Sequence, residues 1–86
     1  MNKSEFRAYV ENIVKDFCLK NSINYRGRIT ILDLSFSVAV DVKPGISELL
    51  AKELDKNSIK YGVIHSLTGG DFLQTWINYA DNEIFD

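Results

Sequence analysis

An α+β domain is the fold class that this sequence predicts, on three observations. The stretch Leu32 to Val42 alternates apolar Leu32, Leu34, Phe36, Val38, Val40 and Val42 with Asp33, Ser35, Ser37, Ala39 and Asp41, the period of a strand with one buried face. Phe6, Tyr9, Val10, Ile13 and Phe17, and later Ile46, Leu49, Leu50 and Leu54, recur at helical spacing on either side of it. Finally, two β-rich runs flank Gly69 and Gly70, a pair suited to the positive φ angles of a tight hairpin.

At 86 residues the chain reads as one domain, residues 1–86, because a second would be too small to bury its own core. A hydrophobic share of 45% and a charged share of 26% are those of an ordinary globular protein. The lone Cys18 has no disulfide partner, no secretory leader pattern opens the chain, and no apolar run has the length of a membrane span. These features predict a cytoplasmic protein without membrane association.

The elements follow in chain order. Ser4 is the expected N-cap of a first amphipathic helix that ends near Asn21, with Cys18 half-buried at the edge of its apolar stripe. Residues 22–28 form a turn around Asn24 and Gly27. Ile29 and Ile31 then place apolar residues at odd positions, whereas from Leu32 they fall at even ones, so the phase breaks near Ile31 to Asp33. Either one long bent strand or a hairpin accommodates the break; with no Gly or Asn at the junction, the bent strand is preferred. Lys43, Pro44 and Gly45 stop it, and a second helix runs to Asp55–Ser58. Lys60 to Leu67 and Phe72 to Tyr79 form the C-terminal hairpin. With Gly69 and Gly70 as its central pair, Val63 opposes Trp76 and His65 opposes Gln74. Asp81 to Asp86 is left as a solvated acidic tail. The expected architecture is therefore a small sheet of three to four strands, one long and bent, packed with two helices in the order αβαββ.

Charge excludes two function classes. Residues 1–43 carry seven Lys or Arg against five acids, and residues 44–86 carry three against seven, for a net charge of −2. A duplex-binding domain needs a strong basic excess, and a mimic of DNA needs far more acid.

Within these bounds, catalytic chemistry has little to draw on. Cys18 and His65, the single thiol and single imidazole, would have to meet to form a nucleophile and base, and nothing in their spacing demands it. Metal ligands are too scattered for a site, so no metal and no cofactor are expected. Asp33 and Asp41 lie too far apart on an extended strand to act as an acid/base pair, and their simplest role is to keep an exposed sheet face soluble. The glycines of Leu67 to Asp71 lack a Walker lysine and open no helix, so a hairpin turn accounts for them.

Two binding readings remain. Tyr25, Arg26 and Arg28 combine an aromatic ring with two guanidiniums in a loop, as a single-stranded nucleic-acid binder uses them. Trp76, in the densest aromatic region, with Asp71, Asp81, Glu83 and Asp86 nearby, suits a protein partner that carries a basic patch. The leading expectation is a non-catalytic regulator, inhibitor or adaptor of a protein partner, of the size common among phage and mobile-element proteins. A homodimer is compatible with it. Single-stranded nucleic-acid binding is the alternative, and a Cys18/His65 enzyme the third reading.

Overall fold

The computed structural model describes residues 1–24, 29–65 and 73–85. Helix α1 spans Lys3–Lys20, strands β1 and β2 span Ile29–Asp33 and Ser37–Val42, helix α2 spans Pro44–Lys56, and strands β3 and β4 span Gly62–His65 and Leu73–Asn78. A single 3-10 turn, Ala80–Asn82, follows. The strands form one four-stranded antiparallel sheet in the order β1-β2-β4-β3. The fold is thus α+β with two helices on a small sheet, and the chain order is αββαββ.

The extra strand comes from a correction at the phase break. A hairpin, not one bent strand, joins Ile29–Asp33 to Ser37–Val42, with Ile31 facing Val40 and Asp33 facing Val38. The turn closes through a Leu34 N–H donating to the Ser37 carbonyl at 2.9 Å. Neither Ser35 nor Phe36 has a positive φ. The Gly/Asn signature of the primed hairpin turns exists to supply positive φ, so a turn built without it leaves no such signature in the sequence.

The hairpin also separates Asp33 from Asp41, which would share a face on one continuous strand. Asp33 lies in register with Val38 and Asp41 with Thr30, and these rows point to opposite sides of the sheet. Asp33 accepts from Arg7 Nη1 at 2.6 Å and from the Tyr79 hydroxyl at 3.1 Å, tying α1 to the end of β4.

Helix α1 starts two residues earlier than Ser4 would set it. Asn2 is the cap: its side chain accepts from the Glu5 N–H at 2.8 Å, and Glu5 accepts from the Asn2 N–H at 3.1 Å, a reciprocal capping box. Helix α2 has no side-chain cap; Pro44 at its first position needs no N–H partner and presets φ for the helix. Lys20 links the helices by reaching Glu53 of α2 at 3.2 Å and also pairs with Asp16 of its own helix at 3.3 Å, and these acceptors hold its ammonium above the usual lysine range.

Both helices pack on one side of the sheet. Phe6, Val10, Val14 and Phe17 of α1 and Leu50 and Leu54 of α2 share a core with Ile29, Val38, Val40, Val42 and Ile77. The C-terminal segment joins it: Ile84 is buried, its N–H donates to the Tyr79 carbonyl, and the Asn82 side chain bonds both the N–H and the carbonyl of Lys60. Residues 81–85 are therefore anchored rather than a free acidic tail, because an apolar residue inside the segment finds a place in the core. Thr75, in register with Val40, is buried on this helix side with no hydrogen-bond partner for its hydroxyl among the described residues. Thr75→Val removes that unpaired hydroxyl while keeping the branched shape. It is expected to raise stability by about 1 kcal/mol in urea denaturation; a loss of stability would show that the hydroxyl is satisfied.

Candidate functional site

The opposite side of the sheet carries no helix among the described residues. Antiparallel partners share a face, so the register defines its rows: Leu32–Ala39–Trp76–Gly62 across the middle, Thr30–Asp41–Gln74–Ile64 toward one end, and Ser37–Asn78 toward the other. Leu32 is 37% exposed, and Phe36, on the β1–β2 turn, is 55% exposed. The Phe36 ring lies 5.4 Å from the half-buried Trp76 ring. Ala39 and Ser37 have no exposed surface at all, so the larger side chains around them roof these two small residues.

The polar groups of the face are arranged as a chain. Trp76 Nε1 donates to Gln74 Oε1, and Gln74 Nε2 donates to Asp41 Oδ1 at 2.8 Å. The carboxylate thus ends a relay that fixes the indole. At the far end, Asn78 Nδ2 donates to Asp81 Oδ2 at 3.0 Å. Asp41 and Asp81 therefore bracket the apolar centre along β4, where Gln74 and Asn78 are separated by roughly 13 Å of strand. No Lys or Arg lies in these rows.

The C-terminal hairpin differs from its expected register by one residue. His65 faces Leu73 instead of Gln74, and Val63 faces Thr75 instead of Trp76. This puts Val63 on the helix side and Ile64 on the open side. A two-residue turn at Gly69 and Gly70 would give the other parity; those residues lie outside the described ones.

Of the residues singled out in the sequence, the structure brings Trp76 and Asp81 to the open face. Glu83 borders a shallow hollow with Ser58, Lys60, Asp81 and Asn82, in a left-handed conformation with φ 60°. Asp71, Asp86, Tyr25, Arg26, Arg28 and the side chain of His65 lie outside the described residues. Cys18 is buried against the core, not half-exposed, and burial pushes its thiol above the ordinary value of 9.0. A buried, protonated thiol is a poor nucleophile. No metal-binding group of acids, His or Cys occurs among the described residues. Sequence reasoning missed Leu32, Phe36, Asp41 and Gln74 as members of one surface, because only the hairpin and the strand order bring them together.

A second concavity lies at the turn end of the sheet, lined by Lys3, Ser4, Arg7, Asp33 and Tyr79. Its charges are committed internally: Arg7 pairs with Asp33, and the Lys3 amine sits 5.6 Å from the Tyr79 ring centroid. It fastens α1 to the sheet. Among the described residues, no helix is long and apolar enough to cross a membrane. In comparisons with protein-family models, curated proteins and solved structures, nothing matches this chain.

Proposed function

We propose that this protein is a non-catalytic protein-binding module, acting as a regulator, inhibitor or adaptor, whose docking surface is the helix-free face of the sheet. The observation that carries this reading is the apolar centre of Leu32, Phe36 and Trp76 bracketed by Asp41 and Asp81. Aromatic and aliphatic groups at the centre of a patch supply most interface energy, and carboxylates at its rim select a partner with lysines or arginines around an apolar contact.

The Gln74 relay matters to that role. It holds the indole in one orientation before the partner arrives, which lowers the ordering cost of binding. The partner's basic groups meet Asp41 and Asp81 at the rim, where charge affects association rate and salt dependence more than final affinity.

The test compares the wild type, immobilised, with a Leu32→Ser/Phe36→Ser variant in extracts of the source cell. The partner recovered by the wild type should be lost at least tenfold from the variant, whose circular dichroism should be unchanged. An Asp41→Asn/Asp81→Asn variant should retain the partner with a weaker dependence on salt. Equal recovery by wild type and double-serine variant, or no specific partner with the wild type, overturns the reading.

Single-stranded nucleic-acid binding is the second reading, and the paired Phe36 and Trp76 rings on an open sheet favour it, since bases stack on such platforms. Against it stand Asp41 and the lack of Lys or Arg in the same rows. Anisotropy titration with mixed-sequence oligonucleotides at low salt separates the two: tight, salt-sensitive binding would replace the protein-partner reading.

A further inference from the structure

We infer that the cavity between Phe36 and Phe85 is a small-molecule site for an apolar monocarboxylate, whose body lies between the two rings and whose carboxylate meets the Lys3 amine and the Ser35 hydroxyl. The cavity has a volume of about 450 Å³ and is walled by Phe36 on the β1–β2 turn, by Phe85 on the C-terminal segment, and by Tyr79, Ala80 and Ile84. That size falls within the range of small-ligand sites, which combine mostly apolar walls with a few placed polar groups. Its walls are built by the fold itself. The Tyr79 N–H donates to the Phe36 carbonyl at 3.1 Å and the Ile84 N–H to the Tyr79 carbonyl at 2.9 Å, so the turn and the C-terminal segment are both tied to one residue. Phe36 and Phe85 nevertheless remain 55% and 76% exposed. An apolar body inserted between them removes surface of both rings from water at once.

The charge of the lining selects the head group. Lys3 is its one charged side chain and Ser35 adds a hydroxyl, while no acid lines it. In the adjoining hollow, Arg7 and the Tyr79 hydroxyl each take one oxygen of Asp33, and the Glu5 carboxylate closes the cap of α1. The ion pairs among the described residues therefore leave Lys3 without a carboxylate. The Tyr79 ring, 5.6 Å from the amine, orients the ammonium without cancelling its charge. One unmatched cation and one hydroxyl suit a monoanion. A phosphate dianion would call for further donors, and Arg7 is already held by Asp33.

Such a site does not require the docking role, because the chain alone supplies every group that holds the ligand. Phenylbutyrate serves as the probe and phenylbutanol as its neutral counterpart with the same body, each titrated into the isotope-labelled full chain and followed by amide NMR. Saturable shifts are expected at Lys3, Ser35, Phe36, Ala80 and Phe85. The alcohol should bind about tenfold more weakly, the loss of one charge-assisted contact. Lys3→Met keeps the stem and removes the charge, so it should lower phenylbutyrate to the affinity of the alcohol and leave the alcohol unchanged. Ala80→Leu, on the 3-10 turn where Ala80 is exposed, should block both probes by filling the floor. Absence of saturable shifts at these residues up to the solubility limit of the probe overturns the proposal. So do equal affinities for acid and alcohol on the wild type, a result that needs no variant, or undiminished phenylbutyrate binding by Lys3→Met.

Discussion

Replacing Phe17 with alanine is expected to cost about 3–5 kcal/mol, the range for deleting a buried aromatic side chain and leaving a partly collapsed cavity. Phe17 is 1% exposed and sits in the cluster that joins α1, α2 and the sheet. A domain of this size has a total stability of about 4–13 kcal/mol, so the loss removes a large part of it. Leu19, on the same helical turn but 80% exposed, provides the contrast: Leu19→Ala should change stability by no more than about 0.5 kcal/mol. Urea denaturation followed by circular dichroism measures both. Similar midpoints for the two variants would mean that α1 does not dock as described.

The second large effect lies on the open face. Ala39 has no exposed surface and is flanked in register by Leu32 and Trp76. Ala39→Leu must push the roof aside, at a cost of about 1–3 kcal/mol for overpacking. Trp76 is the only tryptophan in the chain, so its fluorescence reports the displacement directly. The emission should shift to the red as the indole leaves Gln74 and enters water, and recovery of the proposed partner should fall with it. An unchanged emission maximum with unchanged stability would mean that Ala39 has room above it, and the packed surface would need redrawing.

These two residues also show what kind of information the sequence carries. Phe17 belongs to a helical repeat of apolar residues, and its burial follows from that periodicity without knowledge of any partner element. The burial of Ser37 and Ala39 has no such local cause. Ser37 and Ala39 are covered by the chain's own larger side chains, because β4 inserts beside β2 and carries Trp76 across Ala39.

The local elements were legible because their causes are local. Helical and strand periods, Pro44 at a helix start and Asn21 at a helix end act within a few residues, so both helices and the strand-forming stretches can be read along the chain. The β1–β2 hairpin was not, since a turn with ordinary negative φ angles needs no special residue. The one-residue register of β3 against β4 was equally hidden, because it depends on which faces the helices cover. The Ile84 anchor was missed for a related reason: a single apolar residue in an acidic segment has no period to announce it. By itself the sequence determined the class, the helices and most of the core, through the hydrophobic periods that any such fold must satisfy. Only the tertiary structure decided that Leu32, Phe36, Asp41, Gln74 and Trp76 form one surface. Those relations arise from strand order and register, which long-range pairing fixes and no local pattern encodes.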